Sequence, residues 1–384
     1  MQGYQPNLLP RRRVNKVLIL QLATGAVLAV TLVMGSSLLW SSRPSLQTAS
    51  IGLPDGGSSP EPSRSPSAQR PPKIESTSAV ISLSTGTDAD SFRYFDDQGR
   101  AFSVQPRTGE ISVLSDKTVP GFIQGWWLPG VTQFVGQFQK GTGAEYRWSD
   151  YVDGQSSVFG GVITSFATSP DGRSAAFIAV DGDHPAVYVS GIDGSGQHVI
   201  LQTRTTEDAL SWPKADLLAL VSRRPDQTGW DLTSVSMTGG LTFLLSNQEN
   251  LELAWSHDGS KLLYSSFVPK VGVQLFSMDV ATGTAFPLGL ATSASKCAWS
   301  SDSIRVVCGV PTQPALTSDV PASKTATVDS IVAVDFASGT SQTLWTPPSG
   351  TLLGVIDPVI SSSGRFFAFS NIFDHRLYVL DTAQ

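Results

Sequence analysis

The four histidines and two cysteines of this 384-residue chain are the first residues to consider as metal ligands or nucleophiles. The histidines are His184, His198, His257 and His375. None belongs to an H-E-x-x-H motif or to a pair at metal-ligand spacing. The chain also lacks the G-x-S-x-G motif that places a hydrolase serine on a sharp turn. We therefore predict no catalytic, cofactor-binding or metal-binding residue and interpret the four histidines as exposed turn residues.

Two acid-rich stretches, Asp88–Asp97 and Asp181–His184, could offer carboxylate oxygens to a calcium ion. Neither follows the spacing of a calcium-binding loop, and aspartate is also an ordinary turn residue. No glycine-rich phosphate loop follows a predicted strand and opens a helix, so no nucleotide site is indicated. The sequence therefore predicts a chain without a cofactor, with calcium as the alternative.

The two cysteines, Cys297 and Cys308, flank a predicted hairpin, CAWSSDSIRVVC. If Trp299 lies opposite Val306, the cysteines are directly opposite each other; if it lies opposite Ile304, they are diagonal. Both registers place the two thiols on one face of the sheet. Outside the cytoplasm they could form a disulfide, and the alternative is a pair of buried thiols.

A repeat of short strands must position these residues. Segments similar to WSHDGSKLLY recur at steps of 41 to 44 residues, followed by one step of 61. They start at Trp127, Thr168, Trp212, Trp255, Trp299 and Ile360. Each unit later contains an alternating apolar strand and a turn with glycine, such as Thr-Gly or Asp-Gly, which is typical of hairpins. Each unit of about 44 residues is therefore predicted to hold four antiparallel strands.

Seven such units over residues 78–384 predict an all-β, seven-bladed β-propeller, with six or eight blades as alternatives. The recurring tryptophans are predicted to lie in the core between neighbouring blades. These are Trp127, Trp212, Trp255 and Trp299. The polar insertion Val310–Asp329 accounts for the longest step and is predicted to be a loop.

The last unit starts at Ile360 and ends after its third strand. A ring closed in this way would leave an unpaired sheet edge. We therefore predict that the segment Pro72–Ser76, just before the first unit, supplies the missing strand.

The turn segments carry a resemblance to a known repeat. SPDG at Ser169–Gly172 resembles the PD40 (WD40-like) repeat of TolB-type β-propellers, which also forms the propeller of prolyl-oligopeptidase-family proteases. Ser256–Gly259 has histidine in place of the proline, Ser300–Ser303 lacks the glycine, and Trp212–Ala215 departs further. The resemblance covers most of residues 79–384. It implies a propeller fold and no single activity, because the family includes scaffolds, sugar-active enzymes and gating domains.

The N-terminal part of the chain predicts a membrane anchor. Residues 1–16 are basic and precede residues 17–40, which contain no charge and are long enough to span a bilayer. The positive-inside rule places the N-terminus in the cytoplasm and the remainder outside, in the periplasm or at the cell surface. A cleaved signal peptide is the alternative. Residues 41–72 are rich in serine and proline and predict a disordered linker, followed by the propeller at residues 73–384.

The net charge of the predicted propeller limits the classes of partner that it would bind. Residues 78–384 carry 18 basic and 29 acidic side chains, a balance that disfavours nucleic acid and favours a protein or a neutral or cationic ligand. We predict a membrane-anchored, extracytoplasmic propeller that acts as a non-catalytic binding scaffold. The alternative is a propeller enzyme, hydrolytic or polysaccharide-cleaving, whose site is assembled from loops at one mouth of the channel.

Overall fold

The structure is a computed structural model that describes residues 71–383, except 131, 182–183, 227–228 and 314–324. The predicted basic N-terminus, the anchor at residues 17–40 and nearly all of the linker at residues 41–72 lie outside the described residues, so they stay predictions. Within the described part, the chain has no helix with the length and apolar character needed to cross a bilayer.

Seven sheets of four antiparallel strands confirm the all-β, seven-bladed propeller. The innermost strands contact one another around the centre of the ring. They are β2 (Ile81–Thr85), β6 (Phe122–Trp127), β10 (Val162–Thr168), β14 (Ala209–Lys214), β18 (Glu252–Trp255), β22 (Cys297–Trp299) and β26 (Val355–Ile360). A short 3-10 helix, Ala294–Lys296, leads into β22.

In the first six blades the remaining strands follow in chain order from the centre outwards, and in the seventh blade the outer strand is β1. The second strands are β3 (Phe92–Phe95), β7 (Gln133–Lys140), β11 (Ser174–Asp181), β15 (Leu217–Arg223), β19 (Lys261–Val268), β23 (Arg305–Pro311) and β27 (Phe366–Asn371). The third strands are β4 (Ala101–Gln105), β8 (Gly143–Asp150), β12 (His184–Gly191), β16 (Trp230–Val235), β20 (Gly272–Asp279), β24 (Asp329–Asp335) and β28 (Leu377–Asp381). The outer strands are β5 (Glu110–Ser115), β9 (Ser156–Val158), β13 (His198–Gln202), β17 (Leu241–Gln248), β21 (Ala285–Pro287), β25 (Thr340–Trp345) and β1 (Lys73–Ile74).

The ring closes as the sequence predicts, because β1 is the outer strand of the seventh blade. Lys73 pairs with Val379, and Ile74 pairs with Tyr378. The hydroxyl of Ser76 also accepts a hydrogen bond from the Leu377 amide at 2.9 Å. The N-terminal edge of the propeller is therefore joined to its last strand.

Seven apolar clusters hold the ring together, and each combines side chains of two neighbouring blades. Phe95 of the first blade, for example, packs with Phe122 and Phe134 of the second. A single blade could not bury both faces of its sheet, so the cores lie between blades. This explains why the apolar pattern recurs once in each unit.

The SPDG-like turns end the innermost strands and have a common hydrogen-bond pattern. The hydroxyl of Ser169 donates to Asp171 and accepts from the amide of Ser174, at 2.6 and 2.9 Å. Ser256 and Ser300 repeat this arrangement in the fifth and sixth blades. The short motif thus fixes the conformation of the turn through side-chain hydrogen bonds, which explains why it recurs from blade to blade.

The insertion is shorter than Val310–Asp329. Val310 and Pro311 belong to β23, Asp329 opens β24, and Pro311 pairs with Asp329. Polar composition and proline suggested a loop, but both ends continue a hairpin ladder. Removing all of residues 310–329 would therefore cut into two strands.

Candidate functional site

The central channel contains two cavities that share Leu83, Pro358 and Val359. One has a volume of about 410 Å³ and lies where the innermost strands begin; we name this the loop end. The other has a volume of about 290 Å³ and lies where they reach the SPDG-like turns; we name it the turn end. The two cavities therefore lie next to each other along β2 and β26.

Bulges shape the wall of the loop end. The pairing register shifts between Ile81 and Ser84 in β2 and between Ile356 and Val359 in β26. Within these bulges, Ser82 and Asp357 adopt left-handed backbone conformations, with φ of 55° and 48°. Residues other than glycine rarely adopt this conformation, and strained bulges are frequent beside functional sites. Bulges also lie near the starts of β6 and β10, so the left-handed Ser82 and Asp357 distinguish β2 and β26 and mark this end of the channel as the candidate site.

Asp357 is the charged residue of that wall. Its side chain is exposed to the channel, yet protein surrounds it, and this burial raises the pKa of its carboxyl group. Among the described residues, none forms a hydrogen bond or ion pair with the carboxylate. Because solvent reaches the carboxylate, Asp357 belongs to the wall of an open cavity and not to a closed core. The channel thus presents a carboxylate without a counter-charge.

The other lining residues of the loop end are mainly apolar. They are Val80, Ile81, Leu83, Ile123, Ile356, Pro358 and Val359. Polar groups come from Ser82, Gln124 and His375. The hydroxyl of Ser82 accepts from the Gly125 amide at 2.7 Å, which ties the first blade to the second. Apolar side chains with a few polar groups among them are typical of a ligand-binding site, and polar atoms supply about half of the exposed surface of this cavity.

The four predicted tryptophans lie in clusters between blades, and two of them, Trp255 and Trp299, also line the turn end. The indole N–H of Trp299 donates to the Ala254 carbonyl, and that of Trp255 donates to the Ser211 hydroxyl, both at 3.0 Å. Each bond reaches the preceding blade. Trp299 is buried, whereas Trp255 is only half-buried, as are Trp127 and Trp212.

The cysteines adopt the first of the two predicted registers. Cys297 lies opposite Cys308 and Trp299 lies opposite Val306. In the structure a disulfide joins the two cysteines, whose Cα atoms are 4.0 Å apart. Both residues are buried, and Cys297 also lines the turn-end cavity.

The histidines are all exposed, but sequence reasoning missed the position of two of them. His375 lines the loop end of the channel and His257 lines the turn end, whereas His184 and His198 open strands away from it. His375 also has a left-handed backbone, with φ of 57°. Turn position was visible in the sequence, but the arrangement of the loops around the channel was not.

The acid-rich stretch 88–97 uses its carboxylates for protein contacts. Asp96 bonds to Arg100, Asp90 pairs with Arg107, and Asp88 accepts from the Gln105 side chain. In the second stretch, residues 182–183 lie outside the described residues. Within the described part of the chain, no three or more His, Cys, Asp or Glu side chains are grouped to hold a metal.

A buried ion pair beside the loop end was not predicted. Lys296 Nζ lies 2.7 Å from Asp329 Oδ2, and both side chains are almost fully buried. The same carboxylate accepts from the Val355 amide at 2.8 Å and from the Thr327 hydroxyl at 2.7 Å. Because Val355 begins β26, this pair positions the strand that carries Asp357.

Comparison with known proteins supports the fold. No protein-family model matches the chain, and no curated protein matches it. Among solved structures, an oligogalacturonate lyase in complex with manganese is similar, with a TM-score of 0.57 and 13% identity over 79% of this chain and 90% of that one. The Cps50 (Swd1) β-propeller domain of Myceliophteria thermophila is similar with a TM-score of 0.54 and 10% identity, over 81% of this chain and 99% of that one. TolB from Acinetobacter baumannii has a TM-score of 0.44 and 13% identity, over 79% of each chain. At these identities the likeness extends to the propeller fold alone.

Proposed function

We propose that this chain is a non-catalytic binding propeller that takes its partner at the loop end of the central channel. The observation that carries this proposal is the cavity itself, about 410 Å³, whose wall combines apolar side chains with a similar exposed area of polar atoms and holds one carboxylate without a partner among the described residues. The bulges in β2 and β26 support it, because they hold Ser82 and Asp357 in strained conformations that the propeller repeat does not need.

The experiment captures the partner by cross-linking in intact cells and compares the wild type with a variant whose loop-end cavity is filled by a larger side chain. Ile123→Trp would add bulk at a half-exposed residue of the loop-end wall. Val199→Trp, on the exposed outer strand β13, is the matched control. We expect Ile123→Trp to lose a cross-linked product that the wild type and Val199→Trp both retain. Equal capture by all three proteins would remove the channel from the proposal.

The membrane setting is part of the same proposal. Residues 17–40 would anchor the chain with its N-terminus in the cytoplasm, and residues 41–72 would separate the anchor from an extracytoplasmic propeller. Protease added outside spheroplasts should then digest the propeller and leave a small membrane-bound fragment. Full protection of the propeller would reverse the orientation.

An enzyme is the second candidate, because Asp357 and His375 line one cavity and could serve as an acid and a base. The similar structures include an oligogalacturonate lyase bound to manganese. An unpaired carboxylate in the channel would repel a polyanionic uronate, which favours binding of another ligand class over this reaction. Incubation with oligogalacturonate, with and without manganese, should give no cleavage; cleavage that Asp357→Asn abolishes would favour the enzyme.

A further inference from the structure

The nature of the ligand can be inferred from the charges around the loop end, and this inference rests on the proposed binding function. Asp357 is held inside the cavity by its bulge, and the described residues supply no counter-ion. Solvent reaches this carboxylate, and a bound cation could replace that water and supply the counter-charge. The cavity therefore offers a position for a positively charged group.

The buried cation beside the loop end is already occupied. Lys296 is paired with Asp329, so its ammonium is not available to the channel. Asp357 and His375 are the titratable side chains among the lining residues.

The wall around the carboxylate is mixed in polarity and includes the apolar side chains of Ile81, Ile123 and Ile356. An apolar stem would bury surface against these side chains, while a charged head would reach the carboxylate. We propose that the loop-end cavity selects a ligand that carries a cationic nitrogen on an apolar stem, with Asp357 as its counter-ion. Such a group occurs in small amines and in lysine side chains.

The test uses the full chain in lipid nanodiscs and two probes of equal shape, n-butylamine and n-butanol. Dissociation constants come from ligand-observed NMR, and methyl shifts of Ile81, Ile123 and Ile356 locate the site. We expect the amine to bind about tenfold more tightly than the alcohol, as for a hydrogen bond to a charged group. In Asp357→Asn this ratio should fall to about twofold or less.

The variant should fold, because asparagine is isosteric with aspartate and tolerates left-handed backbone. Asp374→Asn, in the loop beside His375, is the matched control, since it removes an equal charge that is not in the cavity wall. It should keep the wild-type ratio. Equal affinities of amine and alcohol in the wild type, or a preference that survives in Asp357→Asn, would overturn the cation site.

Failure of the two proposals can be told apart. If both probes shift the three isoleucine methyl groups with equal affinity, the cavity binds ligands but not by charge, and only the cation inference fails. If neither probe shifts them at saturating concentration, both proposals fail.

A second pair of probes distinguishes the sources of the cation. Capped Gly-Lys-Gly and Gly-norleucine-Gly peptides differ only in the ammonium group. A lysine peptide that binds more tightly than n-butylamine would support a protein side chain as the ligand. The reverse order would support a small amine, and no preference for lysine or amine would contradict the inference.

Discussion

The two ends of the central channel are built in different ways. At the turn end, a serine hydroxyl fixes the turn in four of the seven blades, and each of these hydroxyls accepts a hydrogen bond from the amide five residues later in the chain. These serines are Ser169, Ser256, Ser300 and Ser361. At the loop end, four innermost strands bulge near their starts, and Ser82, Asp357 and His375 have left-handed backbones. The turn end thus repeats one hydrogen-bond pattern in four blades, whereas the loop end carries left-handed residues in the cavity wall.

The aspartate side chains at the two ends of the channel also differ, in the direction in which their pKa values are shifted. At the turn end, hydrogen bonds from Ser169 and Ser300 hold the pKa values of Asp171 and Asp302 below their usual range. At the loop end, burial raises the pKa of Asp208 to about 6 and also raises the pKa of Asp357. Hydrogen-bonded carboxylates stabilise turns, whereas crowded and underbonded ones are typical of binding sites. The comparison supports a structural role for the turn end and agrees with the proposed ligand recognition at the loop end.

The largest effect is expected for the ion pair that supports the loop end. Lys296→Met would leave the carboxylate of Asp329 buried without its cation. We expect a loss of about 3–5 kcal/mol in the free energy of unfolding. The double variant Lys296→Met/Asp329→Asn should recover part of this loss, because no buried charge stays unpaired. Denaturant midpoints measure both; a single variant as stable as the wild type would contradict the role of the pair.

Tryptophan replacement tests the turn end. Trp299 is 5% exposed, and its replacement by alanine should cost about 3–5 kcal/mol. Trp255 is only half-buried, so Trp255→Ala should cost less, about 1–3 kcal/mol. Urea unfolding of both variants gives the comparison. A larger loss for Trp255→Ala would show that the hydrogen bond to Ser211, rather than burial, determines its contribution.

The propeller could be predicted from the sequence because its information is local and repeated. The apolar alternation, the glycine turns and the serine hydrogen bonds of the SPDG-like turns each lie within one unit of about 44 residues. The closing strand followed from the missing fourth strand of the last unit. An unpaired sheet edge is unfavourable in any ring of sheets, so the closing strand could be inferred without knowledge of contacts between distant residues.

The candidate site could not be predicted, because its residues meet only through the closed ring. Asp357 and Ile123 lie in different blades, and the sequence around Asp357 shows nothing that predicts a left-handed bulge. Lys296 and Asp329 are 33 residues apart, and the second was assigned to a loop. Such contacts depend on strand register in three dimensions, which local patterns do not report.

The disulfide should contribute less than the buried core. A cross-link that closes a short loop contributes about 2–3 kcal/mol in the chain-entropy description. We expect Cys297→Ala/Cys308→Ala to unfold at lower denaturant concentration by a corresponding amount. Reductant should shift the wild type towards the variant and leave the variant unchanged. A wild type that is insensitive to reductant in the unfolded state would indicate free thiols.

Asp208 at the loop end gives a pH-dependent effect. It is buried, one of its oxygens has no partner among the described residues, and its pKa is about 6 against an ordinary 3.8. Because the folded state binds this proton more tightly, the stability from protonation is present below pH 4 and is lost as pH rises to about 6. Asp208→Asn should therefore stabilise the protein by on the order of 2 kcal/mol at pH 7.5 and little at pH 4. Thermal unfolding at both pH values is the measurement, with the exposed Asp216→Asn as the control; equal shifts at the two pH values would contradict it.

The smallest effect is expected where one turn departs from the repeat. Ser303 has a φ of 59° at the position that glycine occupies in the other SPDG-like turns, where Gly172, Gly259 and Gly364 have φ of 68°, 65° and 75°. A left-handed residue other than glycine is strained, and glycine removes that strain at some cost in unfolded-state entropy. We expect Ser303→Gly to stabilise the protein by about 0.5 kcal/mol, and the reverse change, Gly364→Ser, to destabilise it by about 1 kcal/mol. Gly364 is the suitable partner because an added Cβ would have no neighbour within 4 Å, so the change tests backbone conformation alone. Differential scanning calorimetry resolves both shifts. A loss of stability in Ser303→Gly would show that the weak bond from the Asp258 amide to the Ser303 hydroxyl, 3.4 Å long, outweighs the strain.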